Sequence, residues 1–526
     1  MNWGDGGPVA RAMLARKYGG QARRFARHAA ERLLAWGFNA LGEYSSVYTL
    51  PLPTYFRDHG NAVRLPFIRL LNVSWYGAID QGHLAPAPFK TLLAGAVDPK
   101  YYSGWAGNVP DVFDPNFAIY VRNAAADRAT GTNQTIFTAR TTHGGLPQPS
   151  LLHSPWLIGT TPDDADNIFG FGPGPRMAGA DGVVHPNIAW IIAVTKPIQH
   201  RNTHVGVAFG DRHTEVYPDP RVYAKRAWER FLRHEYHSIT ALNAAWGSNY
   251  TTFGSDGGWP TGRGLLDESG RHPWMGREVN GRLMGAAPGV HADLNRFLGV
   301  YADRYFRVVS QAIHAATPHQ LVFSPAALDS HGGLTRRPIL LAAARYCDAI
   351  QVDADPRHPA PLIQTYAWTH RPMFTWIAEQ ANPDSAMHGY HAGFTPWLHT
   401  QGQRGAAYAR EVRWLYSFTV HGVYPFVGLD WWEYMDKWGE RANWGLVTPR
   451  DNAYDGREDR IARGRDRWGV PVGGESGNYG DFLTAAITAN RWINRQLARL
   501  VRSATAQHRR GASRRRSHRL GKAAGP

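Results

Sequence analysis

The chain has 526 residues, of which 43% are hydrophobic and 19% are charged, a composition typical of a globular protein with enough apolar material for a large core. This excludes disorder of the whole chain, and the single cysteine, Cys347, excludes an intrachain disulfide or a metal cluster held by several thiolates. The formal net charge of +16 points to a nucleic-acid partner only if the charges are spread over the folded part.

Half of that charge lies at the C-terminus. Residues 502–526 contain eight Arg and Lys residues and no acid, so we expect a basic disordered tail that follows one large domain over residues 1–500. A solvated tail is the simpler interpretation, and a nucleic-acid partner is therefore disfavoured. No apolar run reaches the roughly 20 residues that a membrane helix needs, so we expect no membrane partner.

The order of predicted elements indicates an α/β fold. Apolar spacing predicts helices over 22–36, 117–126, 222–236 and 294–315, and short apolar runs predict strands over 38–43, 155–161, 321–324, 349–352, 373–377 and 424–429. Such alternation favours a parallel sheet, either doubly wound or closed as a (β/α)₈ TIM-type barrel. No Gly-rich phosphate loop follows a strand, which argues against the nucleotide-binding alternative. The stretches 163–185 and 247–290 are predicted to be long loops on one face.

Acidic and aromatic residues follow the predicted strands. In a (β/α)₈ barrel the positions after the strands converge on the C-terminal face, where active sites lie. Carboxyl groups there, together with indole rings that stack on sugar faces, are typical of glycosidic cleavage. For any single acid the alternative is a helix cap or a turn residue. For Glu433 and Asp436, which lie three apart in a predicted helical turn, the alternative is pairing with Lys437 or Arg441. The residues concerned are Glu43, Asp163, Asp164, Asp166, Asp353, Glu379, Asp430, Trp431, Trp432 and Glu433.

Five segments together resemble the agarase and β-galactosidase-like branch of the glycoside hydrolases. The first, 36–42 (WGFNALG), is similar to the second-strand signature W-G-F-N-T-x-G of that branch. The others follow in the order of the family, over roughly residues 22–460: they are 111–117, 155–159, 238–247 and 443–447. The resemblance implies a (β/α)₈ barrel with long loops on its C-terminal face, a carbohydrate substrate and no cofactor.

The sequence departs from the family at both catalytic positions. Ala165 occupies the place of the usual acid/base Glu, and Ile377 that of the usual nucleophilic Glu. We therefore assign catalysis to Asp164 or Asp166 as the acid and to Glu379 as its partner. The remaining candidates are assigned to substrate binding: Asn39, Glu43, Asp163, Asp353, Trp376, Asp430, Trp431, Trp432 and Glu433.

Two further functions compete with hydrolysis. The displaced glutamates allow a carbohydrate-binding barrel without catalysis, and the basic tail allows nucleic-acid binding. His143, His153 and His185 lack the spacing of zinc ligands, so we expect no metal. The sequence leaves the oligomeric state open.

The N-terminal region contains no predicted strand before residue 38. A barrel with this start lacks its first strand, so we expect either that the true start lies upstream, or that a segment elsewhere in the chain fills the gap. The residues given contain no signal peptide. An upstream start with one would place the protein outside the cytoplasm, in the periplasm or the medium.

Overall fold

A computed structural model describes a large part of the chain. The described residues are 7–43, 45, 65–71, 73, 112–113, 115–126, 152, 154–163, 223–257, 263–266, 277–279, 282–284, 288–325, 337–377, 401–435, 445–447, 451, 464–465, 471–472, 480–499 and 502.

Strands and helices alternate along most of these residues. The strands are β1 (Phe67–Leu70), β2 (Leu157–Thr161), β3 (Arg277–Val279), β4 (Arg282–Met284), β5 (Leu321–Val322), β6 (Ile350–Asp353), β7 (Met373–Ile377), β8 (Phe426–Trp431), β9 (Gly464–Arg465) and β10 (Pro471–Val472). The helices are α1 (Gly7–Tyr18), α2 (Ala22–Ala35), α3 (Pro115–Ala125), α4 (Tyr223–Tyr236), α5 (Ile239–Trp246), α6 (Pro288–Ala316), α7 (Arg337–Tyr346), α8 (Ala360–Thr369), α9 (Gln401–Ser417) and α10 (480–499).

Six of the strands form one parallel series in chain order. β1 pairs with β2 and β2 with β5, while β6 pairs with β7 and β7 with β8, all in parallel. A parallel bridge from Phe323 to Ala349 joins the two halves, and a second one from Leu41 to Phe67 adds the segment around Leu41 at the outer edge. The order is thus Leu41, β1, β2, β5, β6, β7, β8.

The side chains of each strand alternate between two apolar environments. On β6, Ile350 and Val352 are fully buried in the large core that also contains Ile339 of α7 and Leu362 of α8. A smaller cluster consists of Ile68, Phe323, Ala349 and Phe374, which come from four different strand positions. Burial of each such side chain contributes about 1.5–3 kcal/mol, so both faces of the sheet stabilise it.

Side-chain contacts show that this series is curled. Gln351 of β6 donates a hydrogen bond to Glu43 over 2.9 Å, although their strands are four positions apart. With strands about 4.8 Å apart, a flat sheet would separate them by about 19 Å, which exceeds the combined reach of the two side chains. Glu43 is also hydrogen-bonded to Asp430 of β8, six positions away. The two edges of the series therefore approach each other.

We call the boundary between Leu41 and β8 the seam. Among the described residues, no backbone hydrogen bond crosses it, and side chains cover it instead. Trp36 stacks on Tyr434 with ring centroids 6.3 Å apart, and Asn490 of α10 donates to the carbonyl of Trp36 over 3.0 Å. α2 and α10 are thereby tied to the segment that follows β8.

Asp451 is the charged centre of this covering layer. Its carboxylate is fully buried, forms ion pairs of 3.0 Å with Arg32 and with Lys17, and accepts hydrogen bonds from Tyr18 and Tyr434. Its backbone is left-handed, with a φ of 56°. The N-terminal helices α1 and α2 are thus attached to the segment after β8 by a buried charge.

The sequence-based elements agree with the structure in most places. The four predicted helices are confirmed as α2, α3, α4 and α6, and the strands predicted over 155–161, 321–324, 349–352, 373–377 and 424–429 overlap β2, β5, β6, β7 and β8. The strand predicted over 38–43 is reduced to one bridge at Leu41.

Three differences have physical explanations. β1 was not predicted because Arg69 interrupts its apolar run. That arginine is fully buried because it donates to the carbonyls of Ala124 and Ala125 at the end of α3. The predicted loop 247–290 contains the antiparallel pair β3–β4, and the sequence between these two strands is Asn-Gly, a strong hairpin signal. α6 begins at Pro288, a residue suited to a first helical turn.

Two other sequence-based expectations fall mostly outside the described residues. Of the expected tail, only Arg502 is described, and it is helical. The loop expected over 163–185 is described at residue 163 alone. Within the described part, none of the helices combines the length and the apolarity needed to cross a membrane.

We predict that Asp451→Asn lowers the free energy of unfolding by about 3–5 kcal/mol, because Arg32, whose side chain is 7% exposed, would lose its buried partner. Asn is chosen since it tolerates left-handed backbone. Urea unfolding followed by tryptophan fluorescence measures the change. The matched control is Glu31→Gln, which removes the exposed pair with Arg27 and should cost less than about 0.5 kcal/mol. Equal midpoints for the two variants would show that the Asp451 network does not hold the seam.

Candidate functional site

Two carboxyl groups meet at the seam. Glu43 follows the bridge at Leu41 and is 1% exposed, and Asp430 is the fifth residue of β8 and is partly exposed. Their side chains are hydrogen-bonded to each other. We call them the carboxyl pair. Since parallel strands end on the same side of a curled sheet, both groups lie at the C-terminal end, where (β/α)₈ enzymes place their chemistry.

Gly42 allows this approach. A Cβ atom at residue 42 would overlap the carboxylate of Asp430, so a glycine is needed where the backbone passes this side chain. The last residue of the family-like segment 36–42 thus has a direct steric function at the seam.

A row of polar side chains continues from the carboxyl pair into the curled sheet. Gln351 donates to Oε1 of Glu43 over 2.9 Å, and Thr161 donates to Oε1 of Gln351 over 3.2 Å. Gln351 and Thr161 are both fully buried. The row therefore connects the seam with β6 and β2.

The pKa of Asp430 is raised in the carboxyl pair. Burial of its carboxyl group and the neighbouring negative charge of Glu43, to which it is hydrogen-bonded, raise the pKa of Asp430 well above its usual range. Part of the residue remains exposed, and its carboxyl group lies against Gly42. The raised pKa favours the neutral form of Asp430 in the folded protein, as in other paired acids.

Asp353 lies near the carboxyl pair on the same side of the sheet. It is two residues after Gln351 on β6, and it is half-buried. In the strand register Asp353 is opposite Trp376, and Trp376 is opposite Asp430. Residues in register on parallel strands share a level of the sheet, so Asp353 and Asp430 are two strands apart at one level.

Three other predicted site residues have partners elsewhere. Asp163 is fully buried and accepts a hydrogen bond from Tyr305 of α6. Asn39 is exposed and donates to Asn494 of α10 over 3.2 Å. Trp431 packs against Phe482 of α10, with ring centroids 5.1 Å apart. These contacts place each of the three side chains against a helix.

Trp432 and Glu433 follow β8 and are joined by a cis peptide bond. Trp432 is half-buried and Glu433 is 9% exposed. The helical turn considered for Glu433 is corrected by the structure, because residues 432–435 are not helical and Met435 forms a bridge with Val447. Asp164, Asp166 and Glu379 lie outside the described residues, as do His143, His153 and His185.

Sequence reasoning missed Gln351 and Thr161. A signal was present, since Gln351 is the one polar residue of the run 349–352. A buried polar residue in such a strand needs a hydrogen-bond partner, which here is Glu43. Across the described residues, no group of three or more His, Cys, Asp or Glu has an arrangement suited to a metal ion.

Comparison with known proteins gives a structural likeness only. No protein-family model matches the sequence, and no curated protein matches it. Among solved structures the chain is similar to an exo-β-agarase (TM-score 0.53, 19% identity), to PfGH50B (0.53, 17%) and to the agarase AgWH50C (0.53, 19%). The matches cover 91%, 92% and 92% of this chain but 50%, 52% and 51% of those proteins, so the chain spans about half their length.

The likeness therefore shows a glycoside hydrolase-like fold. Similarity to the GH42 β-galactosidase Gan42B is weaker, with a TM-score of 0.42 at 11% identity.

We predict that Asp430→Asn changes how stability depends on pH. Because the pKa of Asp430 is raised in the folded state, the folded protein keeps a proton that the unfolded chain releases above about pH 4. Above about pH 4 the free energy of unfolding of the wild type therefore falls as pH rises, by up to about 1.4 kcal/mol per pH unit. The amide of Asp430→Asn cannot titrate, so the free energy of unfolding of this variant relative to that of the wild type should increase between pH 5 and pH 8.

Urea unfolding at pH 4, 5, 6, 7 and 8 measures this difference. Glu31→Gln is again the control, since Glu31 lies in an exposed pair, and its curve should run parallel to that of the wild type. A parallel curve for Asp430→Asn would contradict the protonation assigned to Asp430.

We predict that Gly42→Ala destabilises the protein by about 1–3 kcal/mol, because the added methyl group must displace the Asp430 carboxyl group. Gly254→Ala is the matched control, since a Cβ there meets no atom within 4 Å. Thermal unfolding of the two variants, followed by circular dichroism, should show a lower melting temperature for Gly42→Ala alone. Equal melting temperatures would show that the seam has room for a side chain at residue 42.

Proposed function

We propose that this protein is a glycoside hydrolase-like (β/α)₈ barrel that cleaves O-glycosidic bonds of a polysaccharide or oligosaccharide. The carboxyl pair is the observation that carries the proposal. Glycosidic cleavage takes place among carboxyl groups, and the pair brings two such groups from the opposite edges of the series together at the C-terminal end of the strands, the end that Asp164, Asp166 and Glu379 follow in the sequence. The agarase-like fold supports the same class of substrate.

The barrel is supported by the curled parallel series. Seven strand positions lie in chain order, and their edges are joined by the carboxyl pair. An eighth strand at the seam would complete the closure, because that boundary has side-chain contacts but no backbone pairing among the described residues. The fold likeness to the agarases favours this arrangement.

In the proposed reaction two carboxyl groups divide the chemistry. A protonated acid gives its proton to the leaving oxygen as the C–O bond breaks, while a carboxylate attacks the anomeric carbon or takes a proton from the attacking water. We assign these functions to Asp164 or Asp166 and to Glu379, which follow β2 and β7 in the sequence.

The carboxyl pair would bind the sugar beside them. Since the pair shares its proton in the hydrogen bond between Asp430 and Glu43, its remaining oxygens would accept hydrogen bonds from sugar hydroxyl groups, and Asp353 would accept one at the same level of the sheet. The indole rings of Trp376 and Trp432 are assigned to the sugar faces. The agarases among the similar structures lead us to propose a β-linked galactan as the substrate.

A carbohydrate-binding barrel without catalysis is the second candidate. It is favoured by the residues at the two positions where the family carries glutamates, since Ala165 and Ile377 stand there. Ile377 ends β7, so a carboxyl group at that level of the strand is missing. Binding of a galactan oligosaccharide without the release of reducing ends would support this candidate.

We predict that Glu379→Gln lowers kcat by a factor of about 10³ or more on the best substrate of a polysaccharide panel, because only proton transfer or nucleophilic attack is removed. Reducing-end release measures the rate, and calorimetric titration with an oligosaccharide measures binding. Binding should be retained in the variant.

Glu31→Gln, which changes an exposed carboxylate of α2, is the control and should leave kcat unchanged. Wild-type kcat in Glu379→Gln would move the catalytic assignment to Asp353 or Glu433. Absence of turnover in the wild type, with binding present, would replace the hydrolase by the binding barrel.

A further inference from the structure

A groove rich in arginine lies on the helices that surround the strands. It has a volume of about 650 Å³, a size common for ligand sites, and it is formed mainly by α6 and α7, with contributions from α4 and from Phe113, which precedes α3. We call it the arginine groove. Five of its lining residues are arginines, and one is acidic: Arg230, Arg296, Arg304, Arg307, Arg345 and Asp303.

Two of the five guanidinium groups are neutralised by carboxylates. Arg345 pairs with Asp303 over 2.9 Å, and Arg296 pairs with Glu235 and Asp293. Within the described part of the chain, Arg230, Arg304 and Arg307 have no carboxylate at ion-pair distance. Counted over the described residues, three guanidinium groups of the groove are therefore without a carboxylate partner.

The charges also act on one another. Arg304 donates through Nε to the carbonyl of Val112 over 3.2 Å, which fixes its guanidinium group between α6 and the segment before α3. Burial and the nearby charge of Arg307 lower the pKa of Arg304. Like charges held this close favour an anion between them, since an anion removes their repulsion.

The geometry points to a sulfate-bearing segment of a polysaccharide as the ligand of the arginine groove. Guanidinium groups bind tetrahedral oxyanions through two parallel N–H bonds, and Val300, Pro338 and Leu341 supply apolar surface for the C–H faces of sugar rings. The choice of an anion rests on the arginines, whereas the choice of a sugar chain rests on the proposed function.

Nucleic acid fits the groove less well. Binding of unpaired bases depends on aromatic rings with a free face, and the aromatic ring of the lining, Phe113, is stacked on Phe297 with centroids 5.7 Å apart and planes at 23°. One face of that ring is therefore covered. A sulfate ester on a sugar needs only the guanidinium groups and the apolar strip.

The test compares two charge-reversed variants of the full chain. Arg230→Glu/Arg307→Glu reverses two exposed groove arginines, and Arg413→Glu/Arg495→Glu reverses two exposed arginines on α9 and α10. Both change the net charge equally and leave the basic C-terminal residues in place. The probes are a sulfated dextran oligosaccharide, the uncharged dextran of equal length and a single-stranded DNA, titrated calorimetrically at two salt concentrations.

We expect the wild type to bind the sulfated dextran, with an affinity that falls at higher salt. Titration with the uncharged dextran should show no binding. The groove variant should bind at least about tenfold more weakly, as expected for losing charge-assisted contacts, and the control variant within about threefold of the wild type. Labelling of arginines with phenylglyoxal, read by mass spectrometry, should show that the ligand protects Arg304 and Arg307 but not Arg413 or Arg495.

Three results would overturn the inference. Equal weakening in both variants would show that affinity follows net charge alone, and labelling unchanged by the ligand would show that the groove is empty. Tighter binding of DNA, lost in the groove variant, would replace the sugar chain by nucleic acid. Hydrolysis of an uncharged polysaccharide should be the same in all variants, so failure of this inference leaves the proposed function standing, and failure of hydrolysis leaves anion binding measurable.

Discussion

The hydrogen bond between Glu43 and Asp430 is the interaction on which the architecture depends. It joins the first and last positions of a parallel series that the described backbone leaves unpaired. In a flat sheet these positions would be about 29 Å apart, at about 4.8 Å per strand. A contact between the two side chains therefore requires the whole series to curl, and the residues between them can then meet inside it, as Thr161 and Gln351 do.

Joining two strands through a pair of carboxyl groups has an electrostatic cost. Two buried acids repel each other unless one of them keeps its proton, so this contact requires a protonation state that an exposed aspartate would not have at neutral pH. The surrounding layer also stabilises the seam, because Trp36, Tyr434 and the buried Asp451 network attach α2 to the segment after β8. The seam is thus held by polar and aromatic side chains, whereas the rest of the sheet is held by backbone pairing.

The sequence predicts the architecture better than it predicts the site. Strands such as β7 can be recognised in the sequence because a strand buried on both faces is a continuous apolar run. β1 cannot be recognised in this way, because it contains Arg69. The charge of Arg69 is accommodated by two carbonyl groups at the end of a helix that is distant in the sequence. The same limit applies to the site. Glu43 and Asp430 are acids after strands, as are many turn residues, and only the curl of the sheet brings them together. Trp431 carries the same sequence signal as Asp430 yet packs against α10, because alternate residues of a strand face opposite sides.

That alternation has a mechanical consequence. Asp430 and Trp431 are adjacent on β8, so the backbone between them is positioned by whatever holds the indole ring. The ring is clamped by Phe482 and Tyr408, and the guanidinium group of Arg404 lies 5.3 Å from its centre. Helices α9 and α10 therefore hold Trp431, and through the shared backbone they help to position Asp430. The packing of these outer helices therefore contributes to the position that the Asp430 carboxyl group takes against Gly42 on the inner face of the same strand.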